Sequence, residues 1–529
     1  MSACAATSGV SKACRMSRFW ASRSATARSN SAATPAPWCS CSETRSTRRG
    51  EVIMLTRAIS PAAILIVSLA SAAEVRTNYL EVFYDSETGD ANWGDSGEPY
   101  QLHTGDTIRI HGYLAAPVTG GPYPAIVIGH GHGGHGDPDF ATALAALGYV
   151  ALSIDGPSAG LSTGGPEDTE QAWITVEPSP NFGYLYHYAY AGMRALTLFE
   201  ALAQSPGNPL HIDPQRLGVL GASMGGQFTY YINGVDDRVK AAVAISVAGD
   251  WFDTLFYPGS WLYHGLYYYT RDGLRSGVDA PNAVSNVCTD ATLQTFLRNF
   301  DVSSYAPRQH GKLLTLIGTD DQYFPLPSIN TAFDNVQSAD HDPAFTSRVM
   351  IVPNGKHGVI DANPIAAVLA SLGTVNAWLR HAFYGEAAPP ETPMVFRWTA
   401  GEWMIFAVPA RPGATPIWRM DLNYATQIDT TPTPACDFTT IPMFPVGNAY
   451  LGAVRIGAPQ ACGPPPAPDN VIYYASVKDL AGFTISSRVY RGDREMTFSP
   501  DFAPVLQHFP RDNFPVPPPP DRCLVPPPG

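Results

Sequence analysis

Lysine is scarce in this chain, with five among 529 residues, and Lys, Arg, Asp and Glu together make up only 15%. The charge that is present leans acidic, at a formal net −13. A surface of that sign repels nucleic acid and anionic lipid, so neither is expected as a partner. The apolar run Ala62–Ala70 is too short to span a bilayer. No internal repeat is visible. Among Cys288, Cys436, Cys462 and Cys523 there is no C-x-x-C pair, which argues against a thiolate metal site or redox couple of that kind. What the chain has is apolar bulk and turn formers. Hydrophobic residues reach 45%, with 47 Gly and 49 Pro, so a large core interrupted by many loops is expected.

Residues 1–53 differ in texture from the rest. They hold four of the eight cysteines and show no apolar periodicity. Met54 then opens MLTRAISPAAILIVSLASAA, with basic Arg57, the apolar run, and small residues at Ala72 and Ala73. That is the anatomy of a secretory signal peptide, which must stand at the N-terminus to be read. We therefore read 1–53 as a mis-assigned extension, 54–73 as the signal, and the mature chain as secreted or periplasmic, with no membrane contact after cleavage. Without residues 1–73, Lys+Arg falls from 33 to 24 and Asp+Glu from 46 to 44, a net charge of about −20. Four cysteines remain in an oxidising compartment, and Cys436 with Cys462 is the first choice among three possible pairings.

From residue 74 to 385 buried strands alternate with helices. Expected strands are Asn78–Tyr84 and Thr107–Leu114, paired antiparallel, then Tyr123–Ile128, Tyr149–Ile154, Arg216–Leu220, Ala241–Val247, Leu313–Ile317 and Arg348–Val352. Expected helices cover Phe140–Leu147, Tyr184–Ala203, Gly226–Ile232 and Pro364–Ala382. Apolar strands alternating with helices predict an α/β fold: a mostly parallel sheet with helices on both faces. An insertion at about 248–305 carries many aromatics and reads as a cap. Trp251, Phe252, Tyr257 and Trp261 are its candidate substrate contacts. From 390 to 508, Met394–Thr399, Trp403–Val408, Ala449–Ile456, Val471–Lys478 and Phe483–Tyr490 predict a small all-β accessory domain. The tail, 509–529, is Pro-rich.

Chemistry concentrates in four places. Gly221-Ala222-Ser223-Met224-Gly225 joins the strand LGVL to a helix. A serine on such a turn is exposed and strained, and its flanking glycines leave room for tight backbone contacts. A nucleophilic serine also needs a base, an acid that orients the base, and donors for an oxyanion. Asp320 and Asp321 follow the strand LLTLI, and His357 follows the strand before Pro353-Asn354-Gly355-Lys356. The order Ser, Asp, His and the position of each at a strand end suit that architecture. Oxyanion donors are expected from the backbone N–H of Met224 and from His132, in the turn Gly129-His130-Gly131-His132-Gly133-Gly134-His135-Gly136.

By these residues the chain resembles the dienelactone hydrolase, acetyl xylan esterase and prolyl oligopeptidase-like branch of the α/β-hydrolases. The resemblance covers about 105–383. Its motifs are His130-Gly131-x-Gly133-Gly134, Asp155…Gly160-Leu161-Ser162, Ile212-Asp213-Pro214…Arg216, GASMGG, Gly318-x-x-Asp321…Pro325 and Lys356-His357-Gly358. In that family the acid stands third after the glycine and four before the proline, which selects Asp321. The resemblance implies an α/β-hydrolase fold and carboxylic ester hydrolysis through an acyl-enzyme, with Ser223 as nucleophile, His357 as base, Asp321 as its orienting acid, and no cofactor. A serine peptidase of the prolyl oligopeptidase type is the alternative. Such enzymes carry an N-terminal propeller, for which the residues ahead of the fold leave little room. A third reading takes His130, His132 and His135 as zinc ligands, but Gly134 stands where the comparable H-x-H-x-D-H motif has Asp. The expected partner is a small or polymer-derived ester.

Overall fold

The computed structural model describes residues 79–89, 105–169, 172–173, 180–255, 291–321, 323–333, 336–359, 365–426, 438–460 and 463–498. The N-terminal extension, the expected signal segment, all eight cysteines, most of the insertion, and the tail lie outside these residues. The described residues fall within one compact unit.

The main sheet has eight strands. They are β1 (Leu80–Thr88), β2 (Thr107–Ala115), β3 (Tyr123–Gly129), β4 (Val150–Ile154), β5 (Ile212–Ala222), β6 (Val239–Ile245), β7 (Lys312–Gly318) and β8 (Ser347–Val352). Their order is β1-β2-β4-β3-β5-β6-β7-β8. β1 and β2 are antiparallel, with Leu80 opposite Leu114, and β2 meets β4 antiparallel. From β4 to β8 all pairs are parallel. A parallel strand is covered on both faces, which is why YPAIVIG reads as an unbroken apolar run rather than an alternation. Its side chains nonetheless sort by face. Ala125 and Val127 join a core with Tyr188 and Phe228, while Ile126 and Ile128 join one with Leu144 and Trp378. The first pair of partners lies on α2 (Tyr184–Gln204) and α3 (Met224–Val235). The second lies on α1 (Pro138–Ala146) and α7 (Ile365–Tyr384). This order, with helices on both faces, is the α/β-hydrolase fold. Short helices among the described residues include α4 (Trp251–Leu255), α5 (Ala291–Phe300) and α6 (Leu326–Thr331). Among the described residues no helix is long and apolar enough to cross a membrane.

After α7 the chain is all-β. One sheet orders β13 (Phe444–Val446), β14 (Ala449–Arg455), β10 (Trp403–Pro409) and β9 (Phe396–Ala400). The other orders β12 (Thr439–Pro442), β11 (Ile417–Ala425), β15 (Ile472–Asp479), β17 (Tyr490–Arg491) and β18 (Arg494–Glu495), with β16 (Thr484–Ser486) beside β15. They pack face to face, Phe406 meeting Tyr473 edge-on at 4.8 Å. The segment Phe483–Tyr490, expected as one strand, is broken into β16 and β17. At the break, Val489 gives its N–H to the Asn330 side chain and accepts from Asn330 Nδ2. β11 was not expected, because its buried Asp421 and Asn423 mask the pattern of Met420 and Leu422.

Candidate active site

Ser223 stands between β5 and α3 with φ 59° and ψ −120°, a conformation that side chains other than glycine rarely adopt. The flanking glycines make it possible. A Cβ on Gly221 would collide with the Gly225 carbonyl, and one on Gly225 with the Gly129 carbonyl. The turn is anchored by Ser223 N–H donating to Ile245 O at 2.9 Å, while Gly226 and Gln227 donate to Ser223 O. Met224 is the first residue of α3, so its N–H has no acceptor within the helix.

The structure brings Ser223, His357 and Asp321 together. His357 Nε2 lies 2.7 Å from Ser223 Oγ, and His357 Nδ1 lies 2.9 and 3.0 Å from the two Asp321 oxygens. With Nδ1–H donating to Asp321, Nε2 is free to accept the Ser223 proton. Asp321 is fully buried, and its Oδ1 also accepts the N–H groups of Tyr323 at 2.8 Å and Phe324 at 3.2 Å. The turn that makes those bonds aims the carboxylate inward. Asp320 is turned elsewhere: its carboxylate accepts from Thr319 Oγ1 at 2.9 Å, and its N–H donates to Gly355 O. The Tyr323 ring sits 4.2 Å from the imidazole, centre to centre, and Ser246 Oγ donates to the His357 carbonyl.

The Gly/His turn after β3 reaches the same place. A Cβ built on Gly131 would lie 3.4 Å from Ser223 Cβ and 3.9 Å from Ser223 Oγ, so the turn runs in van der Waals contact with the serine. His130 is buried, and both its nitrogens are used. Nδ1–H donates to Gly131 O and Nε2 accepts from Gly156 N–H, each at 2.8 Å. Burial lowers its pKa. His132 Nδ1 bonds Asp168 Oδ1 at 2.8 Å, and Gly133 N–H bonds Asp168 Oδ2 at 2.7 Å. Burial alone would raise the Asp168 carboxyl, but the His132 bond and charge, Gly133 N–H and the Trp173 indole outweigh it and hold it low. His135 Nδ1 bonds Gly136 O. The three imidazoles thus bond to different groups, and among the described residues no group of three His, Cys, Asp or Glu is arranged to hold a metal.

Behind the turn, Asp155 accepts Gly136 N–H at 2.6 Å, Leu161 N–H at 2.7 Å and His111 Nδ1 at 2.8 Å. Sequence reasoning places Asp155 only within a motif, and misses Asp168, Tyr323 and Ser246 altogether. Asp168 lies 35 and 36 residues from its two turn partners, and no local pattern marks such a pairing.

Of the expected substrate contacts, Trp251 is buried. It is 2% exposed, packs on Phe296, and donates its indole N–H to Ala248 O at 2.9 Å. Trp251 and Phe296 belong to one apolar core cluster. Phe252 is half-buried on the same helix, and Tyr257 and Trp261 lie outside the described residues.

No family profile matches the chain. YtaP of Bacillus subtilis, named as a hydrolase, is 25% identical over 245 residues, which is 42% of this chain and 71% of that protein. Among solved structures, an acetyl xylan esterase from Paenibacillus sp. R4 aligns with a TM-score of 0.39 and 18% identity, over 56% of this chain and 86% of its own. The acylaminoacyl peptidase of Pyrococcus horikoshii aligns with a TM-score of 0.40 and 15% identity, over 58% of this chain and only 42% of its own. Fold and site geometry together define a hydrolase of the α/β class.

Proposed function

We propose that this chain is an exported serine esterase that cleaves carboxylic esters through an acyl-enzyme. The observation that carries the reading is the relay Asp321–His357–Ser223, with 2.7 Å between base and nucleophile. Ser223 Oγ attacks the ester carbonyl carbon while His357 Nε2 takes its proton. The carbonyl oxygen becomes an oxyanion facing the backbone N–H groups of Met224 and His132. As the C–O bond breaks, His357 returns the proton to the departing alcohol. Water then enters by the same route in reverse, and the acid leaves. Asp321 fixes the imidazole tautomer and balances the imidazolium formed in each half-reaction. The aromatic insertion, Phe252, Tyr257 and Trp261 with it, is proposed as the wall of the acyl or alcohol pocket. Export rests on the Met54–Ala73 segment and on the acidic mature charge.

The test is a series of p-nitrophenyl and aryl esters, run beside peptide substrates, on material exported by a bacterial host and N-terminally sequenced. Ester turnover is expected, from a chain beginning near residue 74. Ser223→Ala should lower kcat by at least about 10⁴-fold. Peptide cleavage with flat or absent ester activity would overturn the esterase assignment.

A further inference from the structure

The C-terminal sheets touch the catalytic half at the loops that carry the acid and the base. On the base loop, Asn354 has φ +60° and lies three residues before His357. Its side chain pairs reciprocally with one residue of the β region: Nδ2 donates to Phe438 O at 3.1 Å, and Phe438 N–H donates to Oδ1 at 2.6 Å. Its own N–H donates to Thr319 Oγ1 at 2.8 Å, on the acid loop. The two loops are joined again by Asp320 N–H to Gly355 O at 2.9 Å. Further along the acid segment, Asn330 is 3% exposed. It donates through Nδ2 to Val489 O and Met496 O and accepts Val489 N–H, all at 2.8 Å. An asparagine amide supplies a donor and an acceptor in one plane, so it can stand in for a strand partner.

We infer that Asn354 is a positioning residue. By pairing with the Phe438 backbone it makes the C-terminal β region part of the frame that holds His357 against Ser223, and Asn330 does the same for the acid segment. The inference rests on the esterase reading above. Its physical basis is reach: a hydrogen-bonded imidazole tolerates little displacement, and a misplacement of about 1 Å can cost about 100-fold in rate.

Three variants test it. Asn354→Gly keeps the left-handed backbone and deletes the amide. Ser486→Ala removes another bond between the same two halves, Ile351 N–H to Ser486 Oγ at 2.9 Å, on strand β8 rather than within either loop. Ser223→Ala reports on the parent activity. Asn354→Gly is expected to lower kcat by about 10- to 100-fold with KM within about three-fold, to shift the acid limb of the pH profile, and to slow phosphonate labelling of Ser223 in step. Ser486→Ala is expected to lower Tm without lowering kcat. If Asn354→Gly does not fold, Asn354→Asp serves: it keeps the acceptor, loses the donor, and should show an intermediate kcat. Unchanged kcat and pH profile in the Asn354 variants, or an equal loss in Ser486→Ala, overturns the inference. Turnover persisting in Ser223→Ala would instead overturn the esterase reading itself.

Discussion

Between Asp320 and Asp321 the residues alone leave the choice open, since both follow the same buried strand. What separates them is the next turn, whose Tyr323 and Phe324 N–H groups draw Asp321 inward and leave Asp320 to Thr319. Replacing Asp321 by Asn keeps the shape but can offer an amide N–H to Nδ1, which favours the tautomer with its proton on Nε2. Asp321→Asn is expected to lower kcat by about 10⁴-fold, whereas Asp320→Asn should stay within about ten-fold, both read by steady-state kinetics on p-nitrophenyl acetate. Similar losses in the two variants would contradict the assignment. At this scale the meeting of Ser223, His357 and Asp321 was legible in the sequence, because each is tied to a strand end. Asp168 and Asn354 were not, because their partners are set by tertiary contacts dozens of residues away.

The elements follow the sequence closely where a strand is buried on both faces: the expected Arg348–Val352 becomes Ser347–Val352, and Tyr123–Ile128 becomes Tyr123–Gly129. They depart where side chains replace ladder bonds, as at Val489, or where polar residues are buried, as at Asp421. The insertion's two ends show a further arrangement. Asp301 accepts Trp251 N–H at 2.7 Å and Ser303 N–H at 2.9 Å, and Ser303 Oγ accepts Asp250 N–H at 2.7 Å, so exit and return are stitched together. A cavity of about 300 Å³ lies beside Asp250 and Ser303. Burial pushes the Asp301 carboxyl up to about 6 despite the N–H bonds it accepts. Asp250 is raised too, by burial and then by Asp253 and Asp301. With Asp301 raised from its usual value of about 4, the folded state keeps a proton that the unfolded state has released. The stability linked to this group is therefore greatest below about pH 4 and is lost as pH rises through about 6. Amide exchange protection at residues 249–251 and 301–303, corrected for intrinsic rates, should be lower at pH 8 than at pH 5. Equal protection at the two pH values would argue against a titrating stitch.

Over the whole molecule, the β region is less separate than its composition suggests. Its inner residues, Phe406, Leu422 and Ile485 among them, belong to the same apolar cluster as Leu220, Val243 and Trp378 of the catalytic sheet and its helix. β16 lies against β8, the edge strand of the main sheet, and Ser486 bonds its backbone, so that edge is covered. Composition showed a change of class at residue 385 but could not show that both sides share a core, since alternation along a strand does not name the surface it meets. The class of chemistry depends on Ser223 being the reacting atom. Treating the intact protein with a fluorophosphonate and mapping its peptides by mass spectrometry tests that directly. One adduct per chain on Ser223, formed in step with loss of ester turnover and strongly slowed in His357→Ala, is the expected result; ester turnover that survives with Ser223 fully labelled, or an inactivating adduct elsewhere, would contradict it.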